Sequence, residues 1–180
     1  FAMVFDRIDG IRVHPQNTTV QDKAAQLLGL KLQDGFMAAG LDTLTEMARK
    51  VVNLKGVRAA VIIDFASRLS TSPQTPESAE YKFFVSMEKL SLIANPVVSK
   101  SPSSATKPVF NPVFWLLNRA QDIPSWFPLD SERINSLVLP LPDYESRLHA
   151  ATVLAPLFKG FEDSSVSAKH DFSDRLANGT

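Results

Sequence analysis

Short, wholly apolar runs alternate along this chain with longer stretches whose apolar residues recur every three or four positions. That alternation predicts strands followed by helices, and so a layered α/β fold with a mainly parallel sheet. Ala2, Met3, Val4 and Phe5 form the first short run, and a loop with Asp9-Gly10 and Pro15 follows it. Val20, Ala24, Leu27 and Leu28 then keep a helical period up to Leu30, with Thr18 and Thr19 as the expected N-caps. Gly35 and Gly40 bracket a break. Leu44, Met47, Ala48 and Val51 share one face of a second expected helix, over 41–54. Lys55-Gly56 suits the end of that helix, a cation meeting the dipole and a glycine offering the left-handed cap.

The run Ala59-Ala60-Val61-Ile62-Ile63-Asp64 is apolar on both faces and β-branched, as a buried central strand of a parallel sheet requires. A polar loop over 70–76 leads to a helix over 77–94, which Pro96 stops. Residues 99–106, rich in serine, read as a surface loop with a phosphorylation site as the less ordinary alternative. Val113-Phe114-Trp115-Leu116-Leu117 is a second buried strand and ends in Asn118-Arg119. Leu137-Val138-Leu139 is a third and ends in Pro140-Leu141-Pro142-Asp143, where Asp143 is placed to cap a helix over 144–157. Residues 161–169 are polar and expected to be exposed, and a further helix is expected to start near Asp171.

Composition changes this picture little. Lys plus Arg equals Asp plus Glu at 19 each, so the overall charge gives no footprint for nucleic acid or an anionic membrane. There is no cysteine, which excludes disulfides, thiol catalysis and Cys-ligated metals. No apolar run approaches the ~20 residues that span a bilayer. These features fit a cytoplasmic protein with neither nucleic acid nor membrane as partner. The start at Phe1 and the end within an apparent helix lead us to expect a piece of a longer protein.

Ligands of parallel α/β sheets sit at the carboxyl ends of the strands, so the strand-ending residues are the first candidates. Asp64 at the end of an apolar strand is how P-loop NTPases place a carboxylate on the magnesium of a nucleotide, although the same residue serves commonly as a cap. Asn118 is placed to orient an attacking water, with a loop-stabilising amide as the plainer reading. His14, His149 and His170 fall on different elements, which speaks against a metal site. Ser67 and Ser70 lack a neighbouring histidine and a nucleophile elbow. Phe83, Phe84 and Met87 read as core, and Trp126-Phe127 as loop packing or else an exposed anchor for a partner.

Taken in order, Leu117-Asn118-Arg119, Glu132-Arg133-Ile134, Pro140-Leu141-Pro142-Asp143 and Arg147 resemble the second half of an AAA-family ATPase module. The resemblance covers residues 59–180. It implies a three-layer α-β-α core of the P-loop NTPase type over 1–165 and the start of a helical lid over 166–180. It implies further that Asp64 is a Walker B-like residue and the candidate magnesium ligand, Asn118 a sensor, Arg119 a nucleotide-contacting neighbour and Arg133 an arginine finger. Two departures stand against activity. Phe65 follows Asp64 where the family has a catalytic glutamate, and no Gly-x-x-x-x-Gly-Lys-Ser/Thr run occurs in the chain. If residues 2–5 are the first strand, the phosphate loop should fall at residues 6–16, which contain one Gly, one Pro, two Asp and no Lys.

The resemblance therefore implies a degenerate module with no tightly bound cofactor. It would act structurally in a larger ATP-driven machine, with other AAA+ modules or subunits as partners in a homo-oligomeric ring. By itself the segment is expected to be inactive, neither binding ATP tightly nor hydrolysing it. One alternative is an active ATPase whose P-loop lies outside this segment, with ATP and magnesium as cofactors and Glu77, Glu80 or Glu88 as the only acidic replacements on the following helix. The other is an α/β protein-interaction domain.

Overall fold

In the computed structural model of the chain, residues 1–97, 108–129 and 131–179 are described. The serine-rich stretch expected as a loop falls outside them, as does Asp130. The chain forms two compact units, Phe1–Ser136 and Leu137–Thr180.

The first unit is built on a five-stranded sheet of order β3-β2-β1-β4-β5. Its strands are β1 (Ala2–Asp6), β2 (Gly10–His14), β3 (Phe36–Met37), β4 (Ala60–Ile63) and β5 (Val113–Trp115). β1 is parallel to β4 and β4 to β5, while β2 runs against both β1 and β3. All strands but β2 thus point the same way, giving the mainly parallel α/β sheet expected. The strand ending at Asp64 is interior, flanked on both sides, though β1 holds the middle position.

Three long helices accompany the sheet: α1 (Thr18–Leu28), α2 (Leu41–Val52) and α3 (Ser78–Ile93). α1 begins one residue earlier than the threonines suggest, because Asn17 accepts the Val20 N–H at 2.9 Å and is the cap. α2 ends at Asn53 before it reaches Lys55-Gly56, since the Asn53 side chain itself takes the Arg49 carbonyl. The path β1 to β4 to β5 steps across the sheet in one direction. Right-handed crossovers in one direction place their helices on one face. Met3, Phe5, Ile11, Val13, Val61 and Ile63 on that face share a single core with Leu28, Leu44, Val51, Phe83, Phe84 and Met87. Residues Arg12, Val4, Ile62 and Phe114 form a register row on the opposite face, outside that cluster, and Phe114 is 53% exposed.

The Trp126-Phe127 pair is packing. A short helix α4 (Trp126–Leu129) buries Phe127 against Phe84 and Trp115, with ring centroids 5.4 and 4.9 Å apart. Trp126 is half-buried beside Tyr81.

The second unit is a helical hairpin of α5 (Tyr144–Leu154) and α6 (Val166–Asn178). Asp143 caps α5 as expected, accepting the Ser146 N–H at 2.8 Å. α6 begins at Val166, earlier than expected, because Ser165 supplies its cap. The hairpin thus spans the position where the sequence suggested a boundary. Arg147 ties the unit together, donating to the carbonyls of Pro142 and Ala177. The third expected strand does not form. Leu137, Val138 and Leu139 pair with no strand and are 84%, 83% and 81% exposed, so apolarity alone did not make a sheet edge available to them. No helix among the described residues is long and apolar enough to cross a membrane.

One buried side chain joins the layers of the first unit. The Asn111 amide accepts the Ala59 N–H at 2.9 Å and donates to the carbonyls of Val51 and Val57 at 2.8 and 3.2 Å. It thereby fixes the end of α2 against the start of β4. Asn111→Ala leaves those backbone groups unpaired, and we expect a loss of about 2–4 kcal/mol in urea unfolding. Asn111→Asp should cost as much, because a carboxylate would face two carbonyls.

Candidate functional site

The carboxyl ends of β1 and β4 open onto a pocket of about 300 Å³ lined by Asp6, Ile8, Asp9, Arg12, Gln16, Phe36, Asp64 and Phe65. The segment at which a phosphate loop was expected is instead a hairpin. β1 turns through Arg7, Ile8 and Asp9 straight into β2, with Asp6 opposite Gly10. A three-residue hairpin loop wants a left-handed residue after its turn, and Gly10 sits there at φ +81°. A Cβ at that position would collide with the Met37 carbonyl oxygen, so only glycine fits. A P-loop runs from a strand into a helix N-terminus. No helix start follows β1 here; the chain turns back into the sheet.

Asp6 organises the turn. Its Oδ1 accepts the N–H groups of Ile8 and Asp9 at 2.9 and 2.7 Å, and its Oδ2 pairs with Arg12 Nη1 at 2.7 Å. Burial pushes the Asp6 carboxyl up, but the two backbone donors and the Arg12 guanidinium outweigh it and hold it below the usual aspartate value. Arg12 then reaches Asp64 through Nη2 at 3.4 Å. The other oxygen of Asp64 accepts the Phe65 N–H at 2.9 Å. The guanidinium therefore bridges two carboxylates across three strands. Arg7 anchors the turn from its far side, donating to the Leu69 carbonyl at 2.6 Å.

Asp64 lies just past β4 and Asn118 just past the adjacent parallel strand β5, so both sit at one edge of the sheet. The two strand ends are locked together. Ala66 N–H donates to the Leu116 carbonyl at 3.0 Å, and Asn118 N–H to Ser67 Oγ at 2.7 Å. Arg119 is exposed and begins a 3₁₀ turn, its N–H donating to Asp122 Oδ2. Phe65 is 68% exposed and held at φ +48°, a backbone state that costs an L-residue about 1–2 kcal/mol. Arg133 is exposed, with its guanidinium 5.3 Å from the Phe110 ring centre. The Pro140-Leu141-Pro142-Asp143 stretch belongs to the second unit and ends no strand.

The sequence reading missed Arg12 and Asp6, although Asp-x-x-Asp-Gly was a legible turn signal. It also missed β3, which is entered by a turn with Asp34 at φ +49° and Gly35 at φ +85°. Glu80 is no free base. It is buried, accepting from Ser70 Oγ at 2.6 Å and from the Glu77 N–H. Among the described residues no group of His, Asp or Glu is arranged to hold a metal ion.

The lowered Asp6 pKa sets a pH dependence. Its contribution is complete above the unfolded value near 3.8 and is lost as pH falls through the lower folded value. Asp6→Ala should cost about 3 kcal/mol at neutral pH, the upper range for hydrogen bonds to a charged group. It should also flatten the acid limb of a stability–pH curve below about pH 4. An acid limb identical to that of the parent would contradict this account.

Neither the comparison with curated proteins nor that with solved structures yields a match. The family model for the AAA+ chaperone, N-terminal Rossmann-like domain matches residues 1–140, most of the chain and the whole of the sheet-bearing unit. The strand–helix alternation, the mainly parallel sheet and this match agree, and the chain belongs to the AAA+ chaperone family through its N-terminal Rossmann-like domain.

Proposed function

We propose that this domain is a degenerate AAA-type module that does not hydrolyse ATP and serves the assembly of a larger AAA+ chaperone. The observation that carries the proposal is Asp6. In a phosphate-binding loop several backbone N–H groups converge on an anion and a lysine adds charge. Here the N–H groups of the turn already converge on the chain's own carboxylate, with Arg12 in the place of the added charge. A phosphate would have to displace Asp6 and then face Asp9 and Asp64. Phe65 supplies no base for water. Asp64 by itself is a poor magnesium site, because such sites lean on substrate phosphates.

On this reading Asp64 and Asn118 hold the sheet edge, and Arg119 contacts no nucleotide. Arg133 keeps a role that needs no local nucleotide. An exposed guanidinium can act in trans as a finger on the ATP of a neighbouring module. The exposure of Arg133 supports that role, as does its lack of a carboxylate partner among the described residues. The competing reading, an active ATPase completed by a P-loop outside this segment, requires Asp64 to leave Arg12 for magnesium.

Two measurements test the proposal. Millimolar Mg-ATP should leave the melting temperature of the chain unchanged. A ligand at ~100 times its dissociation constant would add about 2.7 kcal/mol, a shift of roughly 5–10 °C. A shift that needs magnesium and vanishes in Asp64→Ala would overturn the reading. In the assembled chaperone, Arg133→Ala should lower ATP turnover on the order of 10³-fold. In the isolated chain it should cost no more than about 1 kcal/mol, the worth of an exposed cation–π contact.

A further inference from the structure

Two separate anchors converge on Arg133. The first holds its backbone. Residues 131–134 form a turn in which the Ile134 N–H donates to the Ser131 carbonyl at 3.2 Å. Ser131 is buried, and its Oγ accepts the Arg133 N–H at 3.4 Å and meets Ser91 Oγ of α3 at 3.4 Å. Ile134 packs against the core of the first unit. The turn is therefore fixed on either side of Arg133, whose side chain is left exposed. The second anchor holds that side chain. The guanidinium stands over the Phe110 ring, 5.3 Å from its centre and within the ~6 Å of a cation–π contact. Phe110 is itself held in place, because the next residue is Asn111, buried and tied to Ala59, Val51 and Val57. Among the described residues no ion pair includes Arg133, so its N–H donors stay available to an anion.

We propose that Phe110 is a positioning residue for Arg133, its ring holding the guanidinium ready for the phosphates of a neighbouring module's ATP. A free arginine gives up much rotamer freedom when it meets a phosphate. An arginine already held against a ring has given up part of that freedom beforehand, so less is lost at the moment of contact. An aromatic face can do this without consuming donors, whereas a carboxylate partner would occupy them. The inference rests on the trans-acting role of Arg133 given above, and it adds the residue that prepares Arg133 for that role.

The test measures ATP turnover in the assembled chaperone and follows the Arg133 side chain by NMR in the chain. Phe110→Leu keeps an apolar side chain and removes the ring face, while Phe110→Tyr keeps the face. In the parent, the ring current should place the Arg133 Cδ protons upfield of their free-arginine positions, and Phe110→Leu should abolish that displacement. Phe110→Leu should also lower kcat about 2–5-fold, the population shift that an exposed cation–π contact is worth. KM for ATP should not change, because a finger acts on the transition state. Phe110→Tyr should restore both kcat and the displaced resonances. In an Arg133→Ala background, Phe110→Leu should cost nothing more, since the two residues act as one. Arg133 protons at free-arginine positions in the parent overturn the inference. Equal loss of kcat in the Leu and Tyr variants, or a further loss in the double variant, overturns it too, because the ring would then matter only for packing. If Arg133→Ala lowers turnover and Phe110→Leu does not, the positioning role is rejected and the finger stands. Turnover untouched by Arg133→Ala rejects both.

Discussion

The Asp6 carboxylate accepts two backbone N–H groups of its own turn and the Arg12 guanidinium, and the carboxyl edge of the sheet depends on that arrangement. With the turn closed this way, β2 can fold back on β1 in register and carry Arg12 to the edge. Arg12 then meets Asp64, which would otherwise leave β4 as an isolated, half-buried charge. A lone buried carboxylate is costly, while a carboxylate that receives several donors is not. The hairpin is therefore both a piece of secondary structure and the means by which two strand-ending acids are held beside each other.

On the proposed degenerate reading, the same edge keeps a nucleotide-type fold without its ligand. In an active site the strand-end carboxylate and the backbone donors wait for magnesium and phosphate. In this domain both sets of groups find partners inside the chain. The sheet and the helices packed against it keep their own supports. These are the apolar face of Met3, Phe5, Ile11, Val13, Val61 and Ile63, and the Asn111 amide that fixes α2 to β4. Neither involves the carboxyl edge, so the core does not depend on what that edge binds.

The elements that were legible in the sequence are those whose signal is local. The helix around Leu44 follows from its apolar period, the strands around Ile62 and Phe114 from unbroken apolar runs, the end of the helix around Phe84 from Pro96, and the start of the helix around Leu148 from the capping chemistry of Asp143. The AAA+ family expected from the motif order after Asp64 agrees with the family model over residues 1–140, although Pro140-Leu141-Pro142-Asp143 ends no strand. What was not legible depended on pairing. Ile11, Arg12 and Val13 are too mixed to announce a strand and become one only against β1. Phe36 and Met37 are a strand only because Asp34 and Gly35 turn the chain. Leu137, Val138 and Leu139 fail in the opposite sense. Their local signal is strong, but a strand needs a neighbour as well as a propensity. The partnership of Arg12 with Asp64 spans 52 positions, and no local pattern could report it.

The exposed run from Leu137 to Leu141 bears on how the chain behaves in concentrated solution. Three successive β-prone residues with free backbone donors and acceptors are a template for pairing between molecules. Pro140 and Pro142 bound that run on one side. Each lacks an N–H, so neither can extend a ladder started by Leu137, Val138 and Leu139. The two prolines thus act as gatekeepers, limiting to three residues a stretch that five consecutive apolar residues would have made a nucleus for aggregation.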